Sequence, residues 1–333
     1  LSLHDALPIL KALLVEQHSD KLSAGVQHID ESQLPIHEVI VDVHYSTLNY
    51  KDGLAITGKG KILRQFPMVP GIDFSGVVHH TEDPRFHIGQ HVLLTGWGVG
   101  ENHWGGLAQK AGVKGDWLTA LPEGLSLKNA MIIGTAGFTA MLCVMALEQG
   151  GITPDSGEIL VTGASGGVGS TAISLLTALG YQVTALSGRA SNHDYLRQLG
   201  AEHIITREAF EAAGKALDKQ RWAGAIDTVG GQILANILSQ THYNGTVAAC
   251  GLAGGYTLPT TVMPFILRNV RLQGIDSVYY PAEKRAQVWQ RLLQLLPDTF
   301  YQQTVTEITL DEVPRYAQMI MDNQVTGRTL VKL

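Results

Sequence analysis

Apolar positions fall into two textures along the chain. From residue 10 to about 125 they come as short runs or alternations, Ala12 to Val15, Val39 to His44, Ser75 to His79 and His91 to Leu94, divided by Gly, Pro and Asp. Such punctuated runs predict the strands of a compact, barrel-like β unit. From about residue 126 the spacing changes. An apolar strand at 159–161 is followed by a helical pattern from Ser170, and then by strand (182–186), helix (191–199), strand (203–206), helix, strand (225–229), helix (231–239) and strands at 245–250 and 270–275. Alternation of this kind predicts a doubly wound parallel sheet. Near the end, Leu310 to Asp322 has helical spacing, and Gly327 to Lys332 reads as a last strand.

Between the strand at 159–161 and its helix lies a glycine cluster, Gly163, Gly166, Gly167 and Gly169, around Ser165 and Val168. A turn without Cβ atoms lets a diphosphate approach main-chain N–H groups at a helix start. The next strand ends in Ser187-Gly188-Arg189. An NAD site usually places a carboxylate there to hold the ribose 2′-hydroxyl; a hydroxyl, a glycine and a guanidinium suit a 2′-phosphate, so the pattern predicts NADP(H). Gly251-Leu252 and Asp276-Ser277 follow two later strands, where sheets of this kind meet the other half of the ligand.

Composition limits the alternatives. At 333 residues the chain has room for two cores, and a net charge of −6 shows no nucleic-acid footprint. Two cysteines, Cys143 and Cys250, each in an apolar segment, are too few for a disulfide framework and fit packing roles in a reducing, cytoplasmic setting. The uncharged run Ala130 to Leu147 reaches the length of a membrane span, but its Gly-Thr-Ala-Gly break and lack of flanking basic asymmetry predict a buried helix instead. Residues 1–9 precede the first strand pattern and are expected to be a non-native extension.

Taken together, Ser46 to Asp52, Pro70 to Gly76, Leu94 to Gly106, Ile133 to Met141, Val161 to Gly169, Cys250 to Leu252 and Gly327 to Thr329 resemble blocks of the zinc-independent medium-chain dehydrogenase/reductases. The likeness is to their quinone oxidoreductase-like branch, and within it to the bacterial acryloyl-CoA reductase subgroup. The resemblance implies an α/β chain with a GroES-like β-barrel catalytic domain (10–127 and 304–333) around a Rossmann domain (128–303), working as a homodimer whose edge is Asn269 to Ile275. It places NADPH on Tyr50, Ser165, Gly166, Gly167, Val168, Ser187, Gly188, Arg189, Arg207, Leu252, Ser277 and Arg328. Where zinc relatives carry metal ligands, this chain has Asn49-Tyr50, Gly71-Ile72-Asp73 and Thr135, a set with no soft or imidazole donor, so no metal is expected. Of the thirteen histidines, His79-His80 falls on a strand end and His87, His91 and His103 lack ligand-like partners, so they are expected to be structural or solvated.

Without a metal to polarise a ketone, reduction of an activated C=C bond is the chemistry that fits. Tyr50 is the first candidate for proton donor or positioner, with packing against the cofactor as its alternative. Asn49 either donates to a carbonyl or caps a turn, and Asp52 and Asp73 are expected to orient neighbours. The basic cluster Lys59, Lys61 and Arg64 would meet the phosphates of a CoA ester, or is a solvated loop. Three functions remain open: an NADPH-dependent reductase of a short-chain enoyl-CoA, with no nucleic acid and no membrane involved; a quinone or general enone reductase; and a non-enzymatic NADPH-binding protein.

Overall fold

The protein was analysed as a computed structural model describing residues 9–19 and 21–333. The expected extension therefore lies outside the described residues except for Ile9, which opens the first strand. The strands are β1 (Ile9–His18), β2 (Lys21–Asp30), β3 (Val39–Leu48), β4 (Asp73–Thr81), β5 (His91–Thr95), β6 (Lys110–Val113), β7 (Thr119–Ala120), β8 (Ile159–Val161), β9 (Val183–Leu186), β10 (His203–Ile205), β11 (Trp222–Asp227), β12 (Thr241–Ala249), β13 (Arg271–Gly274), β14 (Val305–Thr309) and β15 (Arg328–Lys332). The chain forms two units. One takes the chain up to Thr135 with Val278–Gln287 and Val305–Leu333; the other takes Ala136–Ser277 with Val288–Thr304.

In the first unit, β1 and β2 form a two-stranded ribbon, and a seven-stranded sheet runs β14-β15-β3-β4-β5-β7, with β6 also paired to β3. Alternation in β3 and β5 sends Val39, Val41, Val43, Val92 and Leu94 inward onto Phe74 and Val78. Register decides the chemistry here. Antiparallel pairing sets Thr329 opposite Leu48 and Ser46 opposite Phe74, so Arg328 comes beside Asn49 and Asp73 beside Thr47.

The second unit carries a six-stranded parallel sheet in the order β10-β9-β8-β11-β12-β13. Counted from β8 this is 3-2-1-4-5-6, the dinucleotide-binding order, whose direction reverses between β8 and β11. Leu160, Ala225, Val247, Trp222 and the helix residues Ile233, Ile237 and Leu238 pack as one core against it. The apolar helix Leu127–Gln149 is long enough to cross a membrane, but 94% of its most apolar window is buried inside the protein. It breaks at Gly134, where φ is 52° and ψ −160°.

Strand Lys21–Asp30 is absent from the predicted set: half of its residues are exposed, and its core-facing Ala24 and Val26 are only partly buried. Most predicted strands are present with ends moved by one to four residues. The last helical pattern divides into a short 3-10 turn, Leu310–Glu312, and the helix Val313–Met321.

Candidate active site

In the second unit, the turn after β8 enters the helix Gly167–Ala178 with Gly166 at its N-cap and no side chain capping it. The first-turn N–H groups are therefore left to an outside acceptor. Two glycines are required by space. Gly163 has φ +55°, and a Cβ there would meet Thr228 Oγ1 at 2.1 Å; a Cβ on Gly169 would lie 2.3 Å from the Gly163 carbonyl oxygen. Behind the turn, at the point where strand order reverses, Thr162 Oγ1 donates to Asp227 Oδ1 at 2.7 Å and Gly230 N–H donates to Asp227 Oδ2 at 2.7 Å. Burial pushes the Asp227 carboxyl up while these donors hold it down.

At the carboxyl end of β9 the predicted residues gather. Arg189 Nη2 donates to Ser165 Oγ at 3.2 Å, and Arg189 N–H donates to Ser187 Oγ at 3.4 Å. A Cβ on Gly188 would touch the Arg207 stem at 3.7 Å, so Arg207 lies against the same turn, with its guanidinium 3.0 Å from Glu211. Ser187-Gly188-Arg189 itself offers no carboxylate to a ribose. Ser277 Oγ accepts from Thr139 Oγ1 at 2.9 Å, and Leu252 is exposed. These features fit a phosphorylated dinucleotide: an uncapped helix start, a glycine turn and two guanidinium groups.

The first unit holds a buried polar network. Asn49 caps the helix Tyr50–Thr57: its N–H donates to Asp52 Oδ2 at 2.8 Å, and its Nδ2 lies 2.9 Å from Thr47 Oγ1, 3.1 Å from Asp52 Oδ2 and 3.2 Å from Asp73 Oδ2. Its Oδ1 accepts from Arg328 Nη1 at 3.1 Å. Asp73 also accepts from the Thr47 hydroxyl and, at 2.7 Å, from Thr135 N–H, while Arg328 Nε donates to the Ile132 carbonyl at 2.9 Å. A Cβ on Gly134 would lie 2.5 Å from Arg328 Nη2 and 3.0 Å from Asp73 Oδ2, so the helix breaks where it must let these groups pass. Tyr50, at the first turn, is 42% exposed.

Asn49, Asp73 and Thr135, each from one of the three segments that the resemblance sets beside zinc-ligand segments, are thus joined by hydrogen bonds. Among the described residues no cluster of three or more His, Cys, Asp or Glu could hold a metal ion. His79 faces Asp42 at 3.0 Å, and His103 Nε2 lies 2.9 Å from the Gly112 carbonyl. Lys61 and Arg64 are exposed, and Lys59 pairs weakly with Asp322 at 3.4 Å. The cysteines, read from the sequence as packing residues in separate apolar segments, adjoin each other: hydrogen bonding to Cys250 and burial push the Cys143 thiol up. The joint roles of Thr47, Thr135, Thr162 and Asp227 were missed. An Asp closing a buried strand, as Asp227 does, is the signal that could have marked one of them.

Residues 35–123 match the family model described as an alcohol dehydrogenase GroES-like domain, and residues 167–296 the one described as a zinc-binding dehydrogenase. The chain is 66% identical over 324 residues, 97% of its length and 100% of the other's, to an Escherichia coli protein named "Probable acrylyl-CoA reductase AcuI". The chain belongs to the medium-chain dehydrogenase/reductase family. Another member, acrylyl-CoA reductase AcuI of Ruegeria pomeroyi, is 49% identical over 326 residues, 97% of this chain and 99% of that one. The crystal structure of the Salmonella enterica yhdH oxidoreductase in complex with NADP matches with a TM-score of 0.96 at 67% identity, covering 97% of this chain and 99% of that one. The fold is accordingly the family's pairing of a GroES-like domain with a Rossmann-type domain.

Burial first, and the Asp73 charge second, push Asp52 up from 3.8 to about 7, against the Asn49 and Ile72 donors that hold it down. A carboxyl that keeps its proton when folded but sheds it when unfolded stabilises the fold at low pH, and that contribution is lost as pH rises toward its folded pKa. The stability contributed by this group should therefore fall between about pH 4 and about pH 7, taking the unfolding midpoint with it, and Asp73→Asn should flatten the fall. Calorimetry of both proteins checks this; identical slopes would contradict it.

Proposed function

We propose that the chain catalyses NADPH-dependent reduction of the activated C=C bond of a short enoyl-CoA, acryloyl-CoA to propanoyl-CoA foremost, without zinc. The observation that carries the reading is the near full-length likeness to the two proteins named for acrylyl-CoA reduction, and the guanidinium groups at the end of β9 support the cofactor. Bound NADPH supplies the hydride for the β-carbon of the alkene.

The protein's own tasks are to grip, orient and keep water out. Gly166, Gly167 and Val168 would offer main-chain N–H groups to the diphosphate, with the Ser165 hydroxyl beside them. Arg189, Arg207 and Ser187 would meet the 2′-phosphate, and Leu252 and Ser277 would border the nicotinamide. On the first unit, Tyr50 has an exposed phenol able to donate toward the charge that develops on a thioester oxygen. The bonds made by Asn49 give it an orienting role rather than donation to a substrate carbonyl, since its side-chain N–H groups already face three acceptors within the network. Arg328 would act through the same cluster. Lys61 and Arg64 are the proposed contacts for CoA phosphates. The pair of thiols and the soluble-type units agree with a cytoplasmic setting.

We also propose a homodimer built on β13. This strand ends the sheet, and the preceding segment exposes Val262, Met263, Ile266 and Leu267, an apolar face joined to an open strand edge. Light scattering on the eluting peak should give twice the chain mass, reduced toward one by Ile266→Glu; a monomer in the unmodified protein would contradict the dimer.

Two further outcomes test the reading. Arg189→Ala should lower the preference for NADPH over NADH by about tenfold or more, the worth of one charge-assisted hydrogen bond, while leaving NADH turnover unchanged. Equal losses with both cofactors would contradict it. Steady-state rates with acryloyl-CoA, crotonyl-CoA and a benzoquinone should favour acryloyl-CoA, and charge reversal at Lys61 and Arg64 should raise KM for the thioesters only. A preference for the quinone would give the site to a quinone reductase.

A further inference from the structure

Outside the network just described, the most unusual buried group is Arg285, which is 2% exposed. Its Nε donates to the Tyr280 carbonyl at 3.1 Å and its Nη2 to the Val278 carbonyl at 3.0 Å. Its Nη1 donates to the Thr95 carbonyl at 2.8 Å and to Thr95 Oγ1 at 3.0 Å. The guanidinium also lies over the ring of Trp97, 4.7 Å from its centroid. One planar cation thus ties the end of β5 to the segment Val278–Tyr280, a geometry that the fork of an arginine allows and a lysine ammonium does not.

Trp97 pays two costs in this arrangement. Its φ is +60°, a left-handed conformation that is uncommon for a bulky residue, and its indole Nε1 is buried with no hydrogen-bond partner among the described residues. Its N–H donates to the same Val278 carbonyl at 3.0 Å, and its ring meets Tyr279 edge-on with centroids 6.4 Å apart. Tyr279 nevertheless remains 63% exposed. Strain of this kind collects where a side chain must be aimed. The position of the pair says at what. Gly96 N–H donates to the Ile72 carbonyl at 3.4 Å, and Ile72 N–H donates to Asp52, so the Trp97 loop is bonded directly to the segment bearing Asp73. Val278 directly follows in sequence Ser277, the residue proposed above to border the nicotinamide.

We propose that Trp97 and Tyr279 form an aromatic wall against which the acyl end of the enoyl thioester lies, and that Arg285 is the positioning residue that sets it. The inference rests on the enoyl-CoA reading above. A wall of two rings offers apolar contact to a short alkene and excludes water from it, while the bulk of Tyr279 limits the length of the acyl chain. Tyr279 is the specificity-determining member because it presents the open ring; Trp97 backs it.

The test is the ratio of kcat/KM for crotonyl-CoA to that for acryloyl-CoA, which does not depend on the fraction of protein that is active. Tyr279→Ala should raise this ratio by about tenfold, the discrimination that one methylene carries in a pocket, with the NADPH Kd unchanged. Arg285→Lys should move the ratio in the same direction, whereas a purely structural role would lower the unfolding temperature and leave the ratio alone. A wild-type protein that reduces enoyl-CoA esters with a ratio untouched by Tyr279→Ala overturns the wall and leaves the reductase standing. A wild-type protein that reduces none of them overturns both.

Discussion

Two aspartates buried within reach of one amide nitrogen set the terms for the first unit. Asp52 and Asp73 both lie close to Asn49 Nδ2, and their oxygens accept from Thr47 and from the backbone N–H groups of Asn49, Gly71, Ile72 and Thr135, with the Arg328 guanidinium bound to the far side of the same amide. Removing one member of such a cluster leaves a buried charge without compensation, at a cost of about 3–5 kcal/mol. Strand register supplies the members: β3 brings Thr47, β4 brings Asp73, and β15 brings Arg328. The broken helix at Gly134 then follows as an accommodation, since any side chain there would occupy the space of the guanidinium.

The second unit solves a different problem, that of holding a polyanion with a chain whose own net charge is negative. It does so locally. A glycine turn exposes an uncapped helix start, and two arginines converge on the end of the neighbouring strand. The switch point between β8 and β11 is stiffened by Thr162 and Asp227, so the turn rests on a hydrogen-bonded floor. Recognition by main chain and by forked cations needs few residues, which is why the turn could be found from spacing.

What the sequence reveals and what it hides follow from the same physics. Gly163 and Gly169 were legible because only an absent Cβ satisfies the turn. Ser187 to Arg189 could be singled out by residue type at a strand end, and Arg189 does meet Ser165 and Ser187 there. The network of Asn49 with Arg328 was not legible, since partners 279 positions apart meet only through the register of the last strand, and Arg328 could be named only by resemblance. Arg285 and Thr95, 190 positions apart, are hidden in the same way. Cys143 and Cys250 looked isolated because each sits in its own apolar segment, one on a helix and one after a strand. Lys21–Asp30 escaped because its alternation, Leu22, Ala24 and Val26, is short and only partly buried, a weak period-two signal.

A polar network joins Asn49, Asp73 and Thr135 in the first unit, and the proposed reduction proceeds from that arrangement without a Lewis acid. The most direct measurement is metal content by mass spectrometry on the same sample whose NADPH-dependent acryloyl-CoA turnover is recorded, before and after treatment with a strong chelator. Full turnover from protein carrying far less than one metal per chain is the predicted result. Turnover that disappears with the metal and returns when zinc is added back would contradict it.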